Sequence, residues 1–103
     1  MSSTLVPEIK SVEFNSKTSS GVCVIKFWSE FCGPCKNYAN TFNEFANDNR
    51  NVHCFSVDAI NEPELATKFS VRRVPLTIVL KDGQEVNRME GVQNVAQLER
   101  SIQ

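Results

Sequence analysis

The chain has 103 residues, of which 41% are hydrophobic and 22% are charged, and its formal net charge is −1. A chain of this length can bury a core of its own, so we expect one domain over residues 1–103 and no need for a disulfide scaffold, despite four cysteines. The scattered charges argue against binding to nucleic acids or membranes. Because the sequence shows no signal-peptide pattern and no apolar run of about 18 residues, we predict a cytoplasmic protein.

The N-terminal part of the chain predicts a short strand followed by a helix. Leu5 and Val6 suit an edge strand, and Pro7 ends this strand and is well placed to begin a helix that reaches Lys17. Three apolar side chains of this predicted helix are candidates for burial: Ile9, Val12 and Phe14.

A nearly continuous apolar run over residues 22–28 follows the turn at Gly21, and it is typical of a central strand covered on both faces. Lys26 is the charged residue inside this run. Residues 34–49 then carry apolar side chains at helical spacing, which predicts an amphipathic helix with one buried face. The apolar positions of that helix are Tyr38, Phe42, Phe45 and Ala46.

The next segment repeats the succession of a strand and a helix. Residues 52–58 predict a strand whose polar and apolar side chains alternate imperfectly, as expected for a strand between helices. Residues 62–69 predict a helix of about two turns, because Pro63 suits its first position.

The last part of the chain predicts an antiparallel hairpin and a final helix. Residues 76–80 and 85–90 are the two strands, and Asp82 and Gly83 form the turn between them. Asn94 can cap the last helix. The predicted order βαβαβαββα indicates an α/β fold with a mixed central sheet and helices on both faces. The last helix presents three apolar residues on one face: Val95, Leu98 and Ile102.

Cys32 and Cys35 lie between the predicted central strand and the helix that follows it. A thiol pair at this spacing can close a small disulfide ring and reopen it. Gly33 allows a sharp turn, and Pro34 suits a first helical turn. Cys32 is therefore predicted at the helix start, where free N–H groups and the helix dipole favour its thiolate as the nucleophile. Cys35 is predicted one turn inside, as the resolving thiol.

The motif Trp-x-x-x-Cys-Gly-Pro-Cys-Lys at residues 28–36 resembles the signature of the thioredoxin family, with Phe31 where the family usually has tryptophan. The resemblance covers residues 22–102 well and implies the thioredoxin fold. It also implies a protein-disulfide reductase that works through a Cys32/Cys35 dithiol–disulfide cycle in cell redox homeostasis and electron transport. No cofactor would be bound, because NADPH would supply electrons through a thioredoxin reductase. Disulfide-containing proteins would be the targets, and we expect a monomer.

The resemblance further implies a docking surface for substrates. Val74 would offer backbone hydrogen bonds to an extended substrate segment, and Pro75, whose peptide bond is cis in thioredoxins, would pack against the disulfide. Leu76 stands where the family usually has threonine, so the resemblance does not predict the fine shape of the substrate groove at this position. Trp28 can shield the thiols from water. The remaining matching positions are Phe31, Gly33, Pro34, Gly91 and Val92.

Lys26 departs from the family, which usually carries a buried aspartate here that is thought to transfer a proton for the resolving cysteine. An ammonium near Cys35 would favour the thiolate, and burial would lower the pKa of the lysine itself. Lys26 would then be a modulator of the Cys35 pKa. Alternatively, the side chain extends through the apolar layer and pairs with a carboxylate, with Asp58 as a candidate.

Three further alternatives concern the cysteines. Two cysteines at this spacing can be half of a zinc site, but Cys23, Cys54 and His53 are not paired at ligand spacing, so we expect no metal. Cys23 and Cys54 are better interpreted as small core residues than as regulatory thiols. The competing function is a redox-sensing or partner-docking module with little turnover, and an insulin-type disulfide reduction assay distinguishes it from the enzyme.

Overall fold

The computed structural model describes residues 6–103, in which four helices and four strands follow one another. The four strands form one mixed sheet in the order β2-β1-β3-β4, with β1 parallel to β2 and antiparallel to β3. Strand β4 pairs with β3 in an antiparallel hairpin. The elements are α1 (Ser11–Lys17), β1 (Val22–Trp28), α2 (Gly33–Asp48), β2 (His53–Asp58), α3 (Pro63–Lys68), β3 (Leu76–Lys81), β4 (Gln84–Glu90) and α4 (Val95–Ser101).

Helices cover both faces of this sheet, as the sequence predicts. Successive side chains of a strand point to opposite faces, so β1 contributes to two separate cores. Ile25 and Phe27 pack on the face that Phe14 of α1 and Leu65 of α3 cover. Val24 packs on the other face, against three aromatic rings of α2 and one leucine of α4, namely Tyr38, Phe42, Phe45 and Leu98.

The first helix begins later than the sequence predicts. Residues 7–9 run beside β2 instead, where Ile9 N donates to Ser56 O at 2.9 Å and Ser56 N donates to Pro7 O at 3.0 Å. Sheet pairing at these residues therefore prevails over the local preference of Pro7 for a helix start. Val6 lies in a bend, and Leu5 of the predicted edge strand lies outside the described residues.

The prediction that Val12 is buried is wrong, because this side chain is 94% exposed. Ile9 and Phe14 are buried as predicted. Positions two residues apart on a helix point about 200° apart, so a helix that turns Phe14 inward turns Val12 outward. Ile9 reaches the core from the extended segment that precedes α1, and not from the helix.

The later elements agree with the prediction. Asp82 and Gly83 both have positive φ angles, 50° and 84°, as the tight turn between β3 and β4 requires. Asn94 caps α4, since its side chain accepts from Gln97 N at 2.8 Å. The side chain of Gln97 in turn accepts from Asn94 N at 2.8 Å. Among the helices at residues 6–103, none is both long and apolar enough to cross a membrane.

Candidate active site

Cys32 and Cys35 form a disulfide at the start of α2, with their Cα atoms 5.4 Å apart. Cys32 is the N-cap of the helix, and its Sγ accepts from Cys35 N at 3.2 Å. The loop from β1 is closed by Cys32 N, which donates to Ser29 O at 3.2 Å. The two cysteines are 8% and 4% exposed respectively, so Cys32 retains the larger accessible part.

This arrangement favours a thiolate at Cys32 once the disulfide is reduced. The sulfur lies at the positive end of a helix of 16 residues and already accepts a backbone N–H. Helix N-termini stabilise negative charge, and a sulfur placed there is a better nucleophile near neutral pH because its pKa falls.

Gly33 and Pro34 are the first two helical residues, and both are exposed. Pro34 occupies a first-turn position, as predicted. The conformational freedom of glycine is not needed at position 33, because Gly33 has no positive φ. A Cβ added there would meet no other atom within 4 Å.

The strand register places the predicted docking surface at the end of the sheet that leads to the disulfide. Leu76 is paired with Phe27 of β1 and with Glu90 of β4, so Pro75 adjoins both the end of β1 and Gly91. Gly91 N donates to Pro75 O at 2.9 Å. The Val74–Pro75 peptide bond is cis, as the resemblance implied.

Large apolar side chains are exposed next to Cys32 and next to Gly91. Phe31, which directly precedes Cys32, is 81% exposed, and Val92, which follows Gly91, is 55% exposed. Trp28 at the end of β1 is half-buried, and its Nε1 donates to Glu8 Oε1 at 3.1 Å. The motif and the segment that follows β4 thus each present apolar surface to solvent.

A row of three polar residues crosses the sheet beneath α2. Lys26 is the register partner of Ser56 in β2 and of Thr77 in β3, and all three are buried. The Thr77 hydroxyl shares a 2.6 Å hydrogen bond with the Tyr38 hydroxyl. Ser56 Oγ, in contrast, has no partner among the described residues. Neither Ser56 nor Thr77 was predicted as a site residue, and the available signal was a hydroxyl residue within an otherwise apolar strand.

Lys26 is buried and lies close to an aromatic ring of α2. It is 6% exposed, and its Nζ lies 5.7 Å from the centroid of the Phe42 ring. Burial lowers the pKa of Lys26, and the charge of Glu8 raises it by a smaller amount. Within residues 6–103, the structure shows two ion pairs, and neither contains Lys26.

The suggested pairing of Lys26 with Asp58 is wrong. Asp58 Oδ1 accepts from Ile60 N at 3.0 Å and from Asn61 N at 3.2 Å. Asp58 Oδ2 accepts from the Asn61 side chain at 2.9 Å. Both carboxylate oxygens therefore stabilise the turn after β2, and the carboxylate whose charge acts on Lys26 is Glu8.

Lys26 and Cys35 line the same cavity, which has a volume of about 530 Å³. An ammonium on the wall of this space lies in the electrostatic environment of the second cysteine. The cavity is lined by residues of the N-terminal segment, β1, β2 and α2: Glu8, Lys26, Trp28, Ser29, Glu30, Cys35, Lys36, Ala39 and Ser56.

The other two cysteines are free thiols in the core. Cys23 and Cys54 belong to the cores on opposite faces of the sheet. Burial raises the pKa of the Cys54 thiol to about 12 and also raises the pKa of Cys23. Both thiols therefore stay protonated near neutral pH. His53 is exposed, and no group of three metal-ligating side chains occurs within the described part of the chain.

Comparisons with known proteins agree with this fold and site. The family model described as Thioredoxin matches residues 5–103. Thioredoxin from Staphylococcus aureus is 36% identical over 89 residues, which are 85% of this chain and 86% of that protein.

Two solved structures share the fold. The crystal structure of Malassezia sympodialis thioredoxin has a TM-score of 0.83 at 26% identity, covering 94% of this chain and 87% of that chain. A mutant thioredoxin from Halobacterium salinarum has a TM-score of 0.86 at 23% identity, covering 99% of this chain and 92% of that chain, and supports the fold alone. Because the family model matches nearly the whole chain and the Cys-Gly-Pro-Cys disulfide begins α2, this chain belongs to the thioredoxin family and is a thioredoxin-type protein-disulfide reductase.

Proposed function

We propose that Cys32 attacks the disulfide of a target protein and that Cys35 then resolves the mixed disulfide. The Cys32 thiolate attacks one target sulfur, a Cys32–target bond forms, and the other target sulfur leaves as a thiolate that takes a proton from water. The Cys35 thiolate next attacks Cys32 Sγ, which releases the first target sulfur as a thiolate. Two electrons thus pass to the target, and the Cys32–Cys35 disulfide remains.

The observation that carries this assignment is the hydrogen bond from Cys35 N to Cys32 Sγ at the start of α2. It supports Cys32 as the better-stabilised thiolate and therefore as the first nucleophile. Cys35 is less exposed and one turn further into the helix. That position suits a thiol that reacts only with the neighbouring sulfur.

The electrons for the next cycle would come from NADPH through a thioredoxin reductase, with no cofactor bound to this chain. Family membership supports this donor and disulfide-containing proteins as the other partners. Residues 1–103 would act as one domain and as a monomer. The free thiols of Cys23 and Cys54 suit a reducing compartment such as the cytoplasm.

The target would dock as an extended segment over the proline loop and the motif. Exposed apolar side chains close to a reactive group are typical of an interaction surface, and Phe31 and Val92 are both exposed. Val74 would hydrogen-bond the backbone of the segment, and Pro75 would contact the disulfide region. Trp28, Gly33, Pro34 and Gly91 would complete this docking surface.

Lys26 would lower the pKa of Cys35, because an ammonium in the same cavity stabilises the thiolate. In the reduced Cys32→Ser protein, we expect the alkylation of Cys35 to require a higher pH after Lys26→Met, and a still higher pH after Lys26→Asp. Lys36→Met is the matched control, since Lys36 also lines the cavity but is exposed. Identical pH profiles for Cys32→Ser with and without Lys26→Asp would exclude any role of this side chain.

The function is tested by insulin reduction with a thioredoxin reductase and NADPH. We expect catalytic turnover by the native chain, none by Cys32→Ser, and one trapped mixed disulfide per chain with Cys35→Ser. Cys54→Ala is the control, because it removes a buried thiol outside the active site and should retain turnover. Stoichiometric binding of the target without turnover would instead favour the docking module.

A further inference from the structure

We propose that the cavity beneath Cys35 binds a small monocarboxylate between Lys26 and Ser56. The cavity, at about 530 Å³, falls in the size range of small-molecule sites, roughly 300 to 1,000 Å³. Both residues line the cavity, and both are more than nine-tenths buried. Cys35 lines the same cavity, but binding of a carboxylate transfers no electron, so the proposal does not depend on the proposed function.

Lys26 brings a buried positive charge to this cavity. Its side chain is 6% exposed, and no carboxylate lies within 4.0 Å of it in residues 6–103. A buried ammonium without a close counter-ion is costly, whereas a paired and hydrogen-bonded one is much less so. Glu8 acts on Lys26 only from beyond that distance, so a carboxylate that enters the cavity would supply the close counter-ion that the described residues do not.

Ser56 brings a hydroxyl without a hydrogen-bond partner to the same cavity. Buried polar groups are almost always hydrogen-bonded, yet Ser56 Oγ is buried and has no partner in the described part of the chain. Thr77, the other neighbour of Lys26 in the polar row, is satisfied by Tyr38. Ser56 is the register partner of Lys26 on the same face and lines the same cavity, so rotation of its side chain, whose oxygen is closed to solvent here, would let the hydroxyl donate to a carboxylate held by the ammonium.

The rim of the cavity favours one negative charge on a small ligand. Glu8 and Glu30 are exposed carboxylates on this rim, and they would repel a polyanion more strongly than a monoanion. The Glu8 carboxylate is held by Trp28 Nε1 at 3.1 Å, so it has a partner of its own. Trp28 and Ala39 add apolar wall, which suits a short aliphatic chain.

Acetate is the probe, and binding is followed in the amide NMR spectrum of the oxidised chain at pH 6.5. Sodium acetate replaces sodium chloride stepwise, so that the ionic strength stays constant. We expect saturable shifts centred on Lys26 and Ser56. Lys26→Met and Ser56→Ala should each weaken binding on the order of tenfold, as expected for loss of a hydrogen bond to a charged group. Glu8→Gln should tighten it, because a nearby negative charge is removed while the acceptor for Trp28 remains. Lys36→Met is the control on the exposed rim and should change the affinity less than either buried substitution.

Lys26→Met should weaken the binding of acetate and Glu8→Gln should strengthen it. Because a general disturbance of the fold would weaken binding in both variants, this difference identifies a specific site. Shifts that never saturate, or an affinity unchanged in both Lys26→Met and Ser56→Ala, would overturn the proposal. Tighter binding of phosphate than of acetate would overturn the choice of a monocarboxylate. The titration measures no electron transfer, so its failure would leave the insulin result unaffected.

Discussion

Removal of the Tyr38 hydroxyl should destabilise the fold through the partner that it leaves behind. Tyr38 of α2 and Thr77 of β3 are both fully buried, and their hydroxyl oxygens are 2.6 Å apart. Tyr38→Phe keeps the ring and its packing but leaves Thr77 without the hydrogen bond. This pair joins the helix that carries the cysteines to the centre of the sheet.

The size of the effect follows from the burial of the orphaned group. A buried hydroxyl without a partner costs about 1 to 3 kcal/mol of stability. Phenylalanine keeps the aromatic ring, so the substitution creates no cavity that would add to this cost. For a domain of this size, 1 kcal/mol lowers Tm by about 4 to 8 °C. We therefore expect Tyr38→Phe to lower the free energy of unfolding by about 1 to 3 kcal/mol and Tm by on the order of 5 to 20 °C.

Urea unfolding of the oxidised protein, followed by circular dichroism, measures this change. Thr77→Val is the partner substitution, since valine has a similar shape and removes the hydroxyl. The double variant should lose less than the sum of the single losses, because neither hydroxyl is then left unpaired. A loss below about 0.5 kcal/mol for Tyr38→Phe, or strict additivity in the double variant, would refute the reasoning.

Three further predictions concern a helix cap, a buried thiol and the docking surface. Asn94→Ala removes the side-chain acceptor for Gln97 N and should cost about 1 kcal/mol in urea unfolding, whereas no change would show that α4 needs no cap. Cys54, with a folded pKa of about 12 against 9.0 for an ordinary thiol, keeps its proton in the folded state at a pH where the unfolded chain releases it. The contribution of Cys54 to the free energy of unfolding should therefore be fully present below pH 9.0 and be lost as the pH rises toward 12. The slope from this group is at most about 1.4 kcal/mol per pH unit. Cys54→Ala should flatten that decline, and an identical slope in both proteins would contradict it. Phe31→Ser should raise KM for insulin by roughly several-fold and leave the rate with a small aromatic disulfide unchanged, because only a large target covers the exposed ring. Val86→Ser, an exposed apolar position on β4, is its control and should change neither value.

Local signals in the sequence were sufficient for most elements. The turn at Asp82 and Gly83, the cap at Asn94 and the first-turn proline at Pro34 each depend on neighbouring residues alone, and each prediction is confirmed. The nearly continuous apolar run over residues 22–28 likewise identified the central strand, because a strand covered on both faces carries apolar side chains at almost every position. The helix-start position of Cys32 followed from the same local rules.

Sequence by itself therefore determined the succession of elements from residue 11 onward and the dithiol at the start of α2, since both follow from contacts within a few residues. Tertiary structure alone decided that the segment before Ser11 pairs with β2, that Glu8 rather than Asp58 acts on Lys26, and that Ser56 and Thr77 flank that lysine. These contacts join residues that are far apart in the chain, and they exist because the strand order β2-β1-β3 places them side by side. No local propensity specifies that order.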